Sequence, residues 1–278
     1  MSAPPLKKIK ANGLTFGYFE EGTGPLVLLV HGFPDTAHTW SEVRPAVAAT
    51  GFRVVTPFTR GYFPTEIPSD GLYDSDTLGR DILALIAALG EESAVVLGHD
   101  WGAGAAYSAA GLAPARVRFL ITAAIPHPAT MIPTPALLWT VRHFLTLRLP
   151  GAAKRIRNAD FAHLDELVAR WSPGWAVPQG ETDAVKAALR PAGHLEAALG
   201  YYAAISPILP KSQRRKVEVP ALAFAGDTDI VAPSAYERAR SHYTKSYEVV
   251  NVEGAHFMHR QHPEQFIREL VRVLGPYR

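Results

Sequence analysis

Ala94-Val95-Val96-Leu97-Gly98-His99-Asp100-Trp101-Gly102-Ala103-Gly104 is a short apolar run, a Gly-His-Asp-Trp-Gly turn and the start of an alanine-rich run. A buried strand, one sharp turn and a helix leading away have this layout, with a single side chain presented at the turn. The flanking glycines fit it, because such a turn residue is strained and a neighbouring Cβ would collide with its backbone. An aspartate that merely capped the next helix would need neither glycine. The presented residue is Asp100, where an acyl-transfer enzyme would place serine. A carboxylate is ionised at neutral pH without a base to activate it, and it can displace a leaving group from saturated carbon to form an ester.

Outward from this stretch, short apolar runs alternate with amphipathic ones, as in an α/β fold whose mostly parallel central sheet is flanked by helices. The run Leu26–Val30 (LVLLV) suits a central strand buried on both faces, and 52–56, 94–97 and 119–124 read alike. An opening hairpin is predicted over 7–11 and 14–20, turned by Asn12-Gly13. Positions 78, 82, 85, 86 and 89 form one apolar face of a helix over 77–89. After Ile125-Pro126-His127-Pro128 the alternation stops, and proline-punctuated helical stretches follow to about Pro210. It resumes at 221–225 and Tyr247–Val252, and a last helix covers Pro263–Leu274. The expected organisation is a core of residues 1–127 and 212–278, with a helical cap, 128–211, inserted after the sixth strand. An insertion at the carboxyl edge of such a sheet is placed to act as a lid.

Composition narrows the partners. The chain has 278 residues, 47% of them hydrophobic, and a net charge of +2, enough for a full core and without a long basic run. The cluster Lys211 to Lys216 (KSQRRK) reads as a solvated linker, so nucleic acid is not an expected partner. With no cysteine, a disulfide framework and a thiol nucleophile are excluded. The first ten residues lack an apolar stretch of signal-peptide length, and no window approaches the roughly 20 apolar residues of a membrane span. A cytoplasmic location is the expectation, with no membrane partner.

Three further segments carry chemistry. His31-Gly32-Phe33-Pro34 follows one strand, Asp229 follows another in Gly226-Asp227-Thr228-Asp229-Ile230-Val231, and His256 follows the last in Gly254-Ala255-His256-Phe257. An imidazole at His256 can take a proton from water attacking an ester. A carboxylate would accept its other ring N–H and fix its tautomer. Asp229, followed by apolar Ile230-Val231, is favoured over Asp227, whose place beside Gly226 suits a turn. Charge that develops on the ester oxygen needs fixed donors, and the amides of Phe33 and Trp101, each after a tight turn, are the natural pair. His259 and His262 read as solvated or helix-terminal. No cluster has metal-ligand spacing, and neither a metal nor an organic cofactor is expected.

The order nucleophile, acid, histidine is that of the α/β-hydrolase fold. HGFPDTAHTW, GHDWGA, GDTDIV and GAHF resemble the epoxide hydrolases of that superfamily and, more distantly, the haloalkane dehalogenases, from Leu6 to the last helix. The resemblance implies conversion of an epoxide to a vicinal diol through a covalent ester on Asp100, with water and a small-molecule epoxide as the partners. A homodimer is left open. It also implies two cap acids, usually tyrosines, that hydrogen-bond the epoxide oxygen. Tyr202 fills the second place, continuing the stripe Leu195, Ala198, Leu199. His143 stands in the first, before Leu149-Pro150-Gly151; a His/Tyr pair is known in a subset of similar enzymes. His31, Pro34 and Tyr201 are expected to contact the substrate. Phe58-Thr59-Arg60 departs from the family, which more often begins that stretch with Asp.

A haloalkane dehalogenase would use the same Asp100, His256 and Asp229. It would want an Asn at Phe33, or a cap tryptophan, for which Trp139, Trp171 and Trp175 are candidates. A fluoroacetate-type dehalogenase would need arginines where Trp101 and Gly104 stand. A non-catalytic ligand-binding member of the fold would lose part of this constellation, which is intact here.

Overall fold

A computed structural model describes residues 4–132, 134, 135, 139 and 141–278. Positions 133, 136–138 and 140 of the expected cap lie outside the described residues. Asn12 and Gly13 take φ of 45° and 79°, the pair of positive values that a two-residue hairpin turn demands. They join strand β1 (Lys7–Ala11) to β2 (Leu14–Glu21). The remaining strands are β3 (Leu26–Val30), β4 (Arg53–Pro57), β5 (Ala94–His99), β6 (Val117–Ala123), β7 (Ala221–Gly226) and β8 (Tyr247–Val252). They form one sheet in the order β1-β2-β4-β3-β5-β6-β7-β8, antiparallel at the β1 edge and parallel from β4 to β8.

Every residue of β3 is buried. Leu26, Leu28 and Val30 enter the core layer on one face of the sheet, and Val27 and Leu29 enter the layer on the other. The uninterrupted apolar run follows from that two-sided burial. Helix α1 (Val43–Ala48) follows β3, and α2 (Ser75–Ala88) precedes β5. It starts two residues before the predicted 77, because the Asp74 carboxylate accepts the Thr77 N–H at 3.0 Å and caps it. Helix α3 (Trp101–Leu112) runs from the Gly-His-Asp-Trp-Gly turn.

Between β6 and β7 the described residues are helical or irregular: α4 (His143–Thr146), α5 (Ala152–Arg157), α6 (Ala162–Trp171), α7 (Asp183–Leu189), α8 (His194–Ala203) and α9 (Lys211–Arg214). Helices α10 (Pro233–Arg238), α11 (Met258–Gln261) and α12 (Pro263–Leu274) complete the chain's main elements. Among the described residues no helix is long and apolar enough to cross a membrane. The helical segment is tied down at its polar points: the Tyr201 hydroxyl donates to the Arg60 carbonyl at 2.8 Å, and the His256 N–H donates to the Trp171 carbonyl at 3.1 Å. The KSQRRK stretch departs from a solvated linker. Ser212 and Gln213 are buried, and the Gln213 amide donates to the Gly104 carbonyl at 2.9 Å and to Ser108 Oγ at 3.1 Å.

Candidate active site

Asp100, between β5 and α3, has φ 52° and ψ −119°, a conformation that costs an L-residue on the order of 1–3 kcal/mol unless its surroundings enforce it. The glycines around it allow the crowding. A Cβ on Gly98 would overlap the Gly102 carbonyl, one on Gly102 would overlap the Val30 carbonyl, and one on Gly32 would strike the Asp100 side chain. The turn therefore projects Asp100 from the carboxyl edge of the sheet, hard against the loop after β3.

Asp100 Oδ1 accepts the Phe33 N–H at 2.8 Å, and Oδ2 lies 3.5 Å from Nε2 of His256, which the loop after β8 delivers. On the other side of the imidazole, Nδ1 faces Asp229 Oδ1 at 3.3 Å. The same oxygen accepts the Ile230 N–H at 2.6 Å, and the Asp229 side chain is wholly buried. Asp227 is exposed and accepts the Gly254 N–H at 2.9 Å, so it braces the histidine loop. The Trp101 N–H is the first amide of α3, a position with no partner inside its own helix.

Burial opposes the charged form of His256, yet Asp229 and Asp100 outweigh it and lift the imidazole to about 10. Burial also pushes the Asp100 carboxyl up; His256 and the Phe33 amide more than cancel that, and hold it below the usual carboxylate value. The resting pair is thus a carboxylate beside an imidazolium, enclosed and poised toward an apolar space. That space is a cavity of about 290 Å3 in which Asp100, Trp101 and His256 meet walls of Val141, Phe144, Trp171 and Ile205. It can hold a neutral organic molecule over the carboxylate.

His143, at the first turn of α4, lines this cavity and is 4% exposed; it is not a surface histidine. Its ring lies 4.6 Å from that of Trp171 and 6.0 Å from that of Tyr202. Tyr202 is buried edge-on between the rings of Phe33 and Trp101, each 5.3 Å away. Burial raises its phenol well above the ordinary value and the Asp100 charge adds to this, so it stays protonated at any working pH. The structure thus brings His143 and Tyr202 together beside the elbow.

It places His31, Pro34 and Tyr201 elsewhere. Nε2 of His31 accepts the Thr59 N–H at 3.0 Å and its Nδ1–H donates to the Gly32 carbonyl at 2.8 Å, which pins the loop after β3. Pro34 is buried beyond a cis Phe33–Pro34 bond, and Tyr201 is engaged with Arg60. None of the three lines the cavity, and neither do Tyr202 and Phe33, whose rings pack against each other beside it, with Tyr202 also against Trp101. His259 also departs from expectation: it is 0% exposed, with Nε2 at 2.6 Å from Thr39 Oγ1. Gln213 lines the cavity and had no signal in the sequence, since it lies in a charged stretch.

Residues 25–263 match the family model of the alpha/beta hydrolase fold. The AB hydrolase superfamily protein YfhM of Bacillus subtilis is 32% identical over 209 residues, 71% of this chain and 72% of that protein. An epoxide hydrolase of Caballeronia sordidicola is 40% identical over 119 residues, 42% of this chain and only 36% of that protein. Among solved structures, an epoxide hydrolase of Bacillus megaterium in complex with an inhibitor superposes with a TM-score of 0.86 at 24% identity, over 97% of this chain and 100% of the other. A putative acyltransferase from Salmonella enterica superposes with a TM-score of 0.88 at 21% identity, over 99% and 97%. Likeness at this level shows the fold and leaves the reaction to the site.

Proposed function

Because the chain belongs to the alpha/beta hydrolase superfamily and carries an ionised aspartate at its elbow, we propose that it hydrolyses an epoxide to a vicinal diol through a covalent ester. Asp100 attacks a ring carbon from behind the C–O bond, while Tyr202 and His143 hydrogen-bond the departing oxygen. An alkoxide is a poor leaving group, so such donors lower the barrier where the charge develops. The ester formed is neutral, and with the Asp100 charge gone one of the two carboxylates that held the His256 proton is removed. The imidazolium gives up that proton, which replaces the one drawn from the donors. Neutral His256, oriented by Asp229, then takes a proton from water as it attacks the ester carbonyl. The Phe33 and Trp101 amides receive the oxyanion, and collapse returns Asp100 as carboxylate and releases the diol.

The observation that carries this reading is the enclosed pair, Asp100 with His256 3.5 Å away, at the base of an apolar cavity. Epoxide hydrolases among the relatives support the choice of substrate class. A His256→Gln protein mixed with a reactive epoxide should accumulate one substrate mass on the peptide that carries Asp100; an unmodified peptide after complete mixing refutes the covalent step. Displacement of halide from a haloalkane is the second reading. Trp171 favours it, because it lines the cavity and its buried indole N–H has no hydrogen-bond acceptor among the described residues. Phe33 disfavours it, since a side-chain donor to halide is missing there.

A further inference from the structure

Asp35, His99 and His259, none of which lines the cavity, converge from three separate segments. One potential ligand atom of each lies within 4.8 Å of the other two. Their positions in the chain share no spacing, so the sequence carries no trace of the cluster. Hydrogen bonds orient all three side chains. Nε2 of His99 lies 2.8 Å from the His256 carbonyl oxygen, which can only accept, so the His99 proton is on Nε2 and Nδ1 holds a lone pair. Asp35 Oδ1 accepts the Thr36 N–H at 2.8 Å. Thr39 Oγ1 lies 2.6 Å from His259 Nε2, and in the tautomer whose Nε2–H donates to that hydroxyl the Nδ1 of His259 holds a lone pair as well. Both Nδ1 atoms are buried in residues 0% exposed, with no hydrogen-bond partner among the described residues.

Two imidazole nitrogens and a carboxylate oxygen thus face one space, and neither ring nitrogen has a hydrogen-bond partner among the described residues. A water molecule has two protons and would leave the third acceptor facing its oxygen. A cation satisfies all three. The arrangement has the supporting contacts of a metal site as well: each ring donates its other N–H to an oxygen, which fixes the tautomer and the orientation in which imidazole binds metal. Of the cations nearby, Arg260 is already engaged by Glu181 at 2.8 and 3.1 Å and by Glu42 at 3.3 Å, and His256, its ring 4.9 Å from that of His99, by Asp100 and Asp229. Asp35 is half-buried and gives an ion a way in.

We propose that Asp35, His99 and His259 form a binding site for a borderline-soft divalent cation of the zinc class, separate from the site that processes substrate. Two nitrogen and one oxygen ligand suit Zn2+ or Co2+ far better than Mg2+ or Ca2+. Two ligands about 2.1 Å from one ion stand at most about 4.2 Å apart, so small rotations of the rings close the remaining gap. The bound ion would clamp the loop after β3, the elbow and α11 to one another, and would hold the His256 backbone through His99.

The test uses the full chain, freed of metal with a chelator and titrated with ZnCl2 in a calorimeter and with CoCl2 in a spectrophotometer. One equivalent should bind, give the visible bands of a low-coordinate Co2+ ion, and raise the Tm by several degrees while Mg2+ does not. His259→Gln and Asp35→Asn should each weaken binding at least tenfold, with folding of the variants checked by circular dichroism. Crystals soaked in Zn2+ give a readout free of variants: an anomalous peak between the three side chains supports the site. Unchanged affinity in both folded variants, a peak only at surface histidines, or no binding at about 100 µM metal overturns it.

Discussion

Tyr202 is held as a phenol by burial and by the Asp100 charge, so its part in ring opening is to hydrogen-bond the oxygen as charge builds there. Its ring stands edge-on to Trp101 and Phe33, and removal of the hydroxyl leaves that packing in place. Tyr202→Phe should lower kcat/KM for an epoxide about 100-fold with the Tm almost unchanged. A bromoalkane, whose leaving group needs no proton, should be affected far less if it turns over at all. Equal losses on both substrates would contradict the donor role. His256 yields a second prediction. It is protonated at rest, with a value of about 10, and must be neutral to activate water. Ester formation draws on ionised Asp100 and on the Tyr202 and His143 donors, so it should not accelerate as the pH rises from 6 to 9 in stopped-flow tryptophan fluorescence. Ester hydrolysis should accelerate as pH rises, since in the ester, with the Asp100 charge gone, Asp229 alone opposes loss of the His256 proton and a higher pH completes that loss. Parallel pH dependence of the two phases would exclude this division of labour.

At the scale of elements, β5, the elbow and α3 were legible because glycine and apolar patterning have local causes. Gly98 and Gly102 are needed by contacts a few residues away, and two-sided burial makes a strand apolar throughout. The helical segment between β6 and β7 shows in the sequence as a loss of strand alternation, but its placement does not. Tyr202 and Tyr201 are adjacent and alike in sequence, and the direction α8 faces is settled by an interaction remote in the chain. Arg60 is 1% exposed and binds Asp81 through Nε at 2.5 Å and a terminal nitrogen at 2.7 Å. Its carbonyl then takes the Tyr201 hydroxyl, which turns Tyr202 toward the elbow. Asp81→Ala would leave the buried Arg60 guanidinium with only the Leu72 carbonyl and, 3.8 Å away, the Asp70 carboxylate, at a cost of about 3 kcal/mol, read as a Tm lower by about 8 °C. Activity should fall as well, because α8 loses its anchor. A variant with normal Tm would show that Arg60 finds other acceptors. His259 was misplaced for the same kind of reason, since its partner Thr39 lies 220 positions away in the chain.

For the whole molecule, these buried histidines make stability depend on pH in a direction that can be worked out. Burial lowers His31 to about 4 and His127 to about 3, with a second histidine, His242, adding to the effect on His127. In the metal-free chain His99 also falls to about 3, through burial and then the charge of His256. In the unfolded chain all three would titrate near 6.5. Between pH 6.5 and about 5 the unfolded state therefore binds protons that the native state refuses, and stability must fall as the pH drops. Each such group contributes about 1.4 kcal/mol per pH unit once its unfolded form is protonated. His256 has the opposite sign. Its native value of about 10 lies above its unfolded one, so its contribution is complete below pH 6.5 and is lost as the pH rises through 10. The stability of the chelator-treated protein should peak near neutral pH and decline on both sides, more steeply toward acid. Urea unfolding at pH 5, 7 and 9.5 measures this. His127→Asn should flatten the acid limb by about one proton's slope, since His127 stands apart from the site. An acid limb of unchanged slope in that variant, or stability that rises from pH 7 to 5, would mean that the buried imidazoles accept protons in the folded state.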